Sequence, residues 1–295
     1  MALPNLFIVG AAKSGTTSLH NYLHQHPDVF MCNPKEPHYL INQEIGMNRI
    51  PTGITNFIEY SDLFLEGEGE KYRGESSVMY LMYPEIVIPK IKDKFGEDSK
   101  IIIMLRNPVE RAYSGFQHVK RYNLMESLSF EEAIDKSESR YLKNAKMTPA
   151  SRYLELGNYY NQVKLYLQNF KDVHIIIYDD YVNDVNMELL RVFNFLEVKN
   201  CMIDTAERHM VGGWQWKSIK MKALLLSNNK LKSLLKIVLP SQTLRIFIRK
   251  KIMKYTVNET SKINKSTRNY LCKYYRQDVK RLSKLISINL NHWTS

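Results

Sequence analysis

The glycine-rich segment GAAKSGTT at residues 10–17 carries the residue types of an anion-binding turn. An apolar run at residues 6–9 precedes it and an amphipathic stretch at residues 17–24 follows it, so it leads from a strand into a helix. Successive backbone N–H groups at a helix start converge on an anion, and the helix dipole adds partial positive charge there. The segment therefore predicts a phosphate-binding loop.

The loop departs from a Walker A sequence at its lysine. Gly10 and Gly15 keep the Walker spacing, but Thr16 stands where the Walker lysine belongs, and Lys13 comes three residues earlier. The Walker lysine reaches terminal phosphates beyond the loop, whereas a lysine inside the turn lies beside the group that the loop holds. This position favours transfer of a group attached to that phosphate.

Other interpretations of the loop stay open. An ordinary NTPase or kinase needs an acidic residue after an apolar strand to hold magnesium, and Asp179 follows such a run at residues 174–178. A strand-turn-helix junction that binds no ligand is a second alternative. A protein that binds a nucleotide without turnover is a third.

An arginine and a serine form a second group with phosphate-binding character. Arg106 ends the apolar run at residues 100–105, the Asn-Pro dipeptide after it stops the strand, and a helix is expected from Val109. Open α/β sheets bind ligands at the carboxyl ends of their strands, and Ser114 lies about two helical turns further on. An arginine fork with a hydroxyl suits a second phosphate, while a structural salt bridge is the alternative for Arg106.

Six segments together resemble the sulfotransferases that use 3′-phosphoadenosine 5′-phosphosulfate (PAPS) as donor. They occur in the family's order and span residues 6–293. The resemblance is closest to bacterial members and to the sulfotransferase domains that modify heparan-type glycans. The segments are AAKSGTTSLHNYLHQHPDVF, PKEPHYL, IIIMLRNPVERAYSGFQH, SLSFEEAI, GNYYNQVKLYLQNF and LSKLISINLNHW.

The resemblance implies that the glycine-rich loop grips the 5′-phosphosulfate of PAPS. Its lysine would neutralise charge on the bridging oxygen as the sulfuryl group leaves and PAP, the desulfonated product, forms. The loop residues with this implied role are Lys13, Ser14, Gly15, Thr16 and Thr17.

The resemblance also implies that Arg106 and Ser114 hold the 3′-phosphate, the group by which the family distinguishes PAPS from ATP. The family has a late, basic, glycine-rich cofactor loop, and its best counterpart here is the segment at residues 212–218. Lys217 and Ser218 are therefore expected to make additional PAPS contacts.

The segment PKEPHYL implies the catalytic base. In the heparan-type branch the glutamate of a Glu-x-His-aromatic motif serves as base, which is Glu36 here, with His38 as the rival base two residues later. A general base must be an acceptor near the attacking hydroxyl. The segment at residues 74–80 departs from the family because Val78 replaces a proline, and this weakens any acceptor-binding role for Ser76 or Ser77.

Length and patterning predict one α/β domain over residues 1–295. The chain is 44% hydrophobic, and apolar strands alternate with helical patterns. We expect a three-layer, P-loop-like fold in which helices flank a central, mostly parallel sheet. Loops around residues 41–60 and 120–150 are expected to form the acceptor walls. Strands are predicted near residues 5–9, 28–32, 72–76, 100–105 and 173–178, and the clearest helices at 158–170 and 187–195.

Cysteine spacing and hydropathy predict a cytoplasmic protein. Cys32, Cys201 and Cys272 are odd in number and widely spaced, as reduced thiols would be, and no Cys/His cluster has zinc spacing, so no metal is expected. No apolar run approaches the ~18 residues that cross a membrane. Residues 1–5 lead directly into the first strand, which is taken to leave no room for a signal peptide.

The positive charge is concentrated in the segment at residues 210–258. The net charge is +12, and this segment has eleven lysines and arginines with no Asp or Glu. Leucines at helical spacing predict a basic amphipathic helix here. It could contact an anionic membrane surface peripherally, attract a polyanionic acceptor or cofactor, or simply present a solvated face. No nucleic-acid recognition motif occurs, so no nucleic-acid partner is expected.

The resemblance, together with the two predicted phosphate-binding groups, implies sulfuryl transfer from PAPS to an alcohol oxygen by in-line displacement. The resemblance and the basic segment favour a saccharide or a glycolipid as the hydroxyl-bearing acceptor. A small apolar alcohol, such as a sterol, a phenol or a polyketide, would use the same chemistry and remains the alternative.

Overall fold

The computed structural model describes residues 2–123, 125–206, 213–218, 222 and 256–295. Of the basic segment at residues 210–258, this leaves only 213–218, 222 and 256–258. The amphipathic helix predicted there lies outside the described residues.

The central sheet consists of five parallel strands in the order β2-β3-β1-β4-β5. From β1 the chain goes to the edge strand β2, returns to β3 between β2 and β1, and then crosses to β4 on the other side of β1, so the strand order changes direction beside β1. Ligands of open α/β sheets bind at such a switch point. Each predicted strand is confirmed to within one residue at either end. The strands are β1 (Leu6–Gly10), β2 (Val29–Met31), β3 (Tyr72–Ser76), β4 (Lys100–Leu105) and β5 (Val173–Ile177).

Helices cover both faces of this sheet. Their bounds are α1 (Thr16–Leu23), α2 (Tyr39–Ile45), α3 (Phe57–Asp62), α4 (Pro84–Phe95), α5 (Pro108–Tyr122), α6 (Phe130–Asp135), α7 (Ser137–Lys143), α8 (Tyr159–Asn169), α9 (Tyr178–Asn183), α10 (Val185–Leu196) and α11 (Lys265–Ile286). Short 3₁₀ turns connect several of them. Helix α5 begins at Pro108, one residue before the predicted start, because proline fits the first helical position and the side chain of Asn107 caps the helix.

The alternation of side chains along the strands explains the layers. Phe7 and Ile103 pack into a cluster with α4, α5, α8 and α11, whereas Ile8 and Ile102 pack into another with α1 and α10. All four side chains are fully buried. Parallel strands that are covered on both faces have continuous apolar sequences, and β1 and β4 are of this kind. The three-layer prediction is confirmed.

The expected acceptor-wall loops contain short helices, which is a correction to the prediction. Helices α2 and α3 fall in or overlap residues 41–60, and α6 and α7 fall in residues 120–150. The Ser129 hydroxyl accepts the Glu132 N–H while the Glu132 carboxylate accepts from Ser129, which forms a capping box at the start of α6. A Ser-x-x-Glu spacing is visible in the sequence and marks this helix start.

A small second sheet lies apart from the central one. Strands β6 (Trp214–Trp216) and β7 (Val257–Glu259) pair antiparallel. The indole N–H of Trp216 donates to the carbonyl of Arg121 at 3.0 Å, which attaches β6 to the end of α5.

Candidate functional site

A cleft of about 1320 Å³ opens at the carboxyl ends of the central strands. This exceeds the roughly 300–1,000 Å³ of a usual small-molecule site, so it has room for two substrates. Six cationic side chains and two carboxylates line it in the described part of the chain. They are Lys13, Lys35, Arg49, Arg106, Arg111, Arg121, Glu36 and Glu110.

The glycine-rich loop forms the floor of the cleft. Its first residue after β1, Ala11, donates its N–H to the carbonyl of Met104 at 2.7 Å, which ties the loop to β4. Helix α1 then starts at Thr16, and the N–H groups of its first two residues have no acceptor within the helix, so they are available to an anion. Of the predicted loop residues, Ser14 is fully buried and does not line the cleft, while Lys13, Gly15, Thr16 and Thr17 do.

Gly15 is required where the loop turns into α1. It is the N-cap residue and has a φ of +91°, in the left-handed region that favours glycine. A Cβ atom there would also lie 3.3 Å from the ring of Tyr178. The loop can therefore approach an anion closely only with glycine at this position.

Lys13 has an unusual electrostatic environment. Its pKa is lowered from 10.5 to about 8, chiefly by burial. Repulsion from Arg121 and, more weakly, from Arg106 and Lys35 also lowers the pKa, and attraction to Glu36 opposes the shift. Its ammonium lies 3.4 Å from Nδ1 of His118. A partly desolvated cation among other cations is stabilised by an anion, so this site favours binding of a negatively charged group.

Arg106 lies directly against the phosphate-binding loop. Its Nη1 donates to the carbonyl of Lys13 at 3.2 Å, and its guanidinium stacks 4.6 Å from the ring centroid of Tyr178. Tyr159 donates its hydroxyl to the Arg106 carbonyl at 3.1 Å. Ser114 lines the same cleft from α5. The structure thus brings the predicted arginine-serine pair and the predicted loop together in one cleft.

The segment at residues 35–38 forms the opposite wall. Glu36 accepts a hydrogen bond from Lys35 at 2.7 Å, and its second carboxylate oxygen lies 3.3 Å from Nε2 of His38. Burial works to raise the pKa of Glu36, but Lys35 and His38 outweigh it and hold that pKa well below its usual range. The Glu36 side chain keeps 37% of its surface exposed, so an ionised carboxylate faces the cleft.

Strained backbone is concentrated at the predicted catalytic residues. Lys13, Glu36 and His38 have φ values of 71°, 64° and 52°, in the left-handed region. Among the described residues, only Glu197 and Ser287 share this feature outside glycine. Such conformations cost roughly 1–3 kcal/mol each and persist where the surrounding structure enforces them, commonly at functional sites.

Two cleft residues on α5 were missed by sequence reasoning. His118 and Arg121 project from α5 toward Lys13, and burial together with the Lys13 charge lowers the pKa of His118 to about 4. His118 follows Ser114 by four residues, so both lie on one helix face, and that spacing was the available signal.

Several other residues considered in the sequence do not line the cleft. Lys217 and Ser218 follow β6 outside it, although Gly213 in the same segment contributes to its lining. Asp179, the magnesium ligand of the kinase interpretation, instead accepts a hydrogen bond from the Trp293 indole at 3.1 Å. The structure does not bring these three side chains to the phosphate-binding loop.

Neither a metal-ligand cluster nor a membrane-spanning helix occurs in the described ranges. Within residues 2–123, 125–206, 213–218, 222 and 256–295, no three His, Cys, Asp or Glu side chains are grouped as metal ligands would be. In the same ranges, no helix has the length and hydropathy of a membrane span. The three cysteines are free thiols.

The known proteins to which this chain is similar are named as sulfotransferases. The chain resembles the crystal structure of a sulfotransferase from Alicyclobacillus acidocaldarius with a TM-score of 0.76 and 29% identity, covering 100% of both chains. It is 25% identical to human carbohydrate sulfotransferase 15 over 246 residues, which is 66% of this chain and 44% of the relative. It is 27% identical to the bifunctional heparan sulfate N-deacetylase/N-sulfotransferase 1 of Caenorhabditis elegans over 202 residues, 66% of this chain and 22% of the relative.

The chain therefore spans less than half the length of these two longer relatives. The family model described as "Sulfotransferase domain" matches residues 3–281, almost the whole sequence. With the parallel sheet and the anion-binding cleft at its switch point, this match shows that the chain belongs to the sulfotransferase domain family.

Proposed function

We propose that this sulfotransferase moves a sulfuryl group from PAPS to a hydroxyl of a saccharide or glycolipid acceptor. The observation that carries the proposal is that Lys13, Glu36 and Arg106 line one cleft. Within it, the Arg106 guanidinium donates a hydrogen bond to the backbone carbonyl of Lys13. A leaving-group cation, a carboxylate and a second phosphate-binding cation are the parts that such a transfer needs.

The charge of the cleft fits a donor with two anionic ends. Six cations face two carboxylates, and both carboxylates already have cationic partners, Lys35 for Glu36 and Arg268 for Glu110. In the proposal, the cleft-lining loop residues Lys13, Gly15, Thr16 and Thr17 hold the 5′ end of PAPS, and Arg106 with Ser114 holds the 3′-phosphate. Lys217 and Ser218 lie outside the cleft, so the proposal gives them no contact with the donor.

The cleft also offers an aromatic surface for the nucleoside. Tyr22, Tyr178 and Tyr181 line it beside Thr17 and Val182. Aromatic rings and apolar side chains present flat surfaces against which a purine can stack. This surface adjoins both phosphate-binding groups, since Tyr178 contacts the guanidinium of Arg106.

PAPS supplies an activated sulfuryl group when bound, and the chain's own residues handle the proton and the charge. Glu36 accepts the proton of the acceptor hydroxyl at its carboxylate, which is ionised before the transfer. Lys13 stabilises the negative charge that develops on the departing phosphate. His38 remains the rival base, since its Nε2 lies beside the same carboxylate. Lys13 and Arg106 supply the positive charge, so the proposal needs no metal ion.

The relatives favour a saccharide as acceptor. Two of them are named for carbohydrate and heparan sulfate sulfotransfer. Arg49, Thr52 and Thr148 at the outer wall offer polar groups that could hydrogen-bond to a sugar. The alternative, a small apolar alcohol, would use Ile50 and Pro149 of the same wall.

Thermal-shift titration with PAP, ATP and ATP with magnesium tests the nucleotide. A ligand at 100 times its dissociation constant stabilises the fold by about 2.7 kcal/mol. We expect strong stabilisation by PAP and little by either ATP sample. Stabilisation by ATP with magnesium but not by PAP would contradict the proposal. A screen of glycans, sterols and phenols with ³⁵S-labelled PAPS then identifies the acceptor class.

A further inference from the structure

Glu75 is a fully buried carboxylate just outside the cleft. It lies near the carboxyl end of β3 and has no exposed surface. Three hydroxyl groups donate to it: Tyr60 at 2.6 Å and Tyr80 at 3.0 Å to Oε1, and Ser77 at 2.7 Å to Oε2. Burial raises the pKa of Glu75, while these three hydrogen bonds oppose the shift. With all three hydroxyls donating, both carboxylate oxygens of Glu75 act as acceptors.

The direction of these hydrogen bonds leaves the oxygens of Ser77 and Tyr80 available as acceptors. A serine or tyrosine hydroxyl has one hydrogen, and Ser77 and Tyr80 give theirs to Glu75. Their oxygen lone pairs are then free to accept. Ser77 Oγ accepts the backbone N–H of His38 at 3.0 Å, and Tyr80 Oη accepts the backbone N–H of Leu40 at 3.1 Å.

The two N–H groups belong to the segment that carries the predicted base. Glu36 and His38 are both in the left-handed region, and α2 begins directly afterwards with no side-chain cap of its own. The first N–H groups of a helix have no intrahelical acceptor, so they need partners from elsewhere. Ser77 and Tyr80 supply those partners, and Glu75 orients both of them.

We propose that Glu75 is a positioning residue: by orienting the hydroxyls of Ser77 and Tyr80, it holds the backbone at residues 36–40 in the conformation that presents Glu36 and His38 to the cleft. The catalytic consequence rests on the proposed function, whereas the backbone restraint stands on the hydrogen bonds alone. Glu75 itself does not line the cleft among the described residues, so it acts through the segment and not on the substrate.

Tyr60 provides a matched control for this proposal. Its hydroxyl donates to the same Oε1 atom as that of Tyr80, and both rings are fully buried. Of these two tyrosines, Tyr80 alone is shown accepting a backbone N–H of the segment, that of Leu40. Tyr60→Phe therefore removes a hydrogen bond of Glu75 without removing an acceptor from residues 36–40.

The experiment compares Ser77→Ala, Ser77→Thr, Tyr80→Phe and Tyr60→Phe with the full-length wild-type protein. Three quantities are measured: kcat for sulfuryl transfer, the dissociation constant of PAP, and NMR hydrogen exchange at the His38 and Leu40 amides. Ser77→Ala should lower kcat about 10- to 100-fold, the usual scale for misplacing a catalytic group by about 1 Å, with the PAP dissociation constant unchanged within about twofold. Exchange at His38 should accelerate.

The conservative variant Ser77→Thr and the control Tyr60→Phe distinguish loss of the restraint from a general effect of substitution. Ser77→Thr keeps the hydroxyl and should retain most of kcat and the slow exchange of His38. Tyr80→Phe should accelerate exchange at Leu40 and lower kcat, whereas Tyr60→Phe should leave both near their wild-type values. Glu75→Gln, whose amide would direct a hydrogen toward one of its three donors, should lose at least as much kcat as Ser77→Ala.

Different outcomes separate the two proposals. A wild-type kcat in Ser77→Ala would overturn the positioning role, as would equal effects of Tyr60→Phe and Tyr80→Phe on exchange and kcat. Wild-type protein that transfers no sulfuryl group to any acceptor class would contradict the proposed function instead. If no transfer is found, hydrogen exchange at the His38 amide still tests the backbone restraint. Faster exchange in Ser77→Ala than in wild type would support the restraint, and unchanged exchange would overturn it. Because Glu75→Gln could prevent folding, the Ser77 variants carry the test.

Discussion

The ammonium of Lys13 lies 3.4 Å from Nδ1 of His118, which is a contact between a loop residue and a helix residue 105 positions later. An ammonium group only donates, so Nδ1 must accept and the imidazole must be neutral. The lowered pKa of His118, about 4, agrees with a neutral ring. His118 therefore orients Lys13 without adding charge to a cleft that is already rich in cations.

Replacing His118 should reduce turnover more than nucleotide binding. His118→Leu removes the acceptor for Lys13, so we expect kcat to fall about tenfold or more while PAP affinity changes little. His118→Asn, which offers a side-chain oxygen, should recover part of the loss. The measurement is kcat alongside the PAP dissociation constant. Equal losses in both quantities would mean that His118 contacts the nucleotide instead of orienting the lysine.

Lys13 should give the free enzyme a basic pH limit. Its pKa of about 8 means that it loses its charge above that pH in the unliganded cleft. The value of kcat/KM for PAPS should therefore fall as pH rises through about 8, while kcat, measured with donor bound, should fall at higher pH because the bound anion favours the charged lysine.

Lys13→Arg is the control for this pH limit. An arginine stays charged throughout the assay range, so this variant should be slower but should show no decline in kcat/KM near pH 8. A wild-type profile that stays flat to pH 9.5 would contradict the assignment of a lowered pKa to Lys13.

Much of the fold follows from the sequence because the two strands at the centre of the sheet, β1 and β4, are short apolar runs that are almost entirely buried. The run ending at Leu105 and the run beginning at Val173 have no polar alternation that could suggest another element. The short helices at residues 57–62 and 130–143 were missed because they are too brief for a helical period. Their caps, Asn56 and Ser129, were the signals available.

The site was predictable where its residues follow strand ends and fixed spacings. Lys13, Arg106 and Ser114 are of this kind, and parallel strands bring their carboxyl ends to one edge of the sheet. The role of Glu75 was not predictable, because it depends on which way hydroxyl hydrogens point between residues that meet only in three dimensions. Lys217 and Ser218 were predicted from the resemblance of residues 212–218 to a basic, glycine-rich loop of the family, and they do not line the cleft.

Glu36→Gln should separate proton transfer from nucleotide binding. The substitution keeps the shape of the side chain but removes its basicity, so we expect kcat to fall about 100-fold or more with PAP affinity retained. The lowered pKa of Glu36 also means that any acidic decline in the wild-type rate between about pH 5 and 7 must come from another group. The same assay should include His38→Ala. If His38→Ala is the inactive variant and Glu36→Gln is nearly normal, His38 is the base.

Arg106→Ala should identify the 3′-phosphate site. Its guanidinium lies between the loop carbonyl of Lys13 and the ring of Tyr178, with no carboxylate partner among the described residues. Loss of a charged partner for phosphate should cost about 1.5–3 kcal/mol, or roughly 10- to 150-fold in PAP affinity. Calorimetry with PAP and its 3′-dephosphorylated analogue measures this. Equal losses for both ligands would show that Arg106 stabilises the loop and does not bind the 3′-phosphate.

Asp278 on α11 caps a neighbouring helix that supports Arg106. Its carboxylate accepts the N–H groups of Tyr159 and Tyr160 at 2.9 and 3.2 Å, and these are the first residues of α8. The Tyr159 hydroxyl in turn donates to the Arg106 carbonyl. Burial raises the pKa of Asp278 from 3.8 to about 6, although the two backbone N–H bonds and Arg281 oppose the shift.

This raised pKa should make Asp278 a source of pH-dependent stability. Between about pH 4 and 6, the folded protein keeps a proton that the unfolded chain has released, so the free energy of unfolding falls as pH rises through this window and is flat above it. We expect the stability of wild type relative to Asp278→Asn to decrease by about 1–3 kcal/mol from pH 4 to pH 7. Urea unfolding of both proteins at several pH values measures the difference. A difference that grows with pH would mean that the helix-capping bonds outweigh burial and that the carboxylate is ionised in the folded protein even near pH 4.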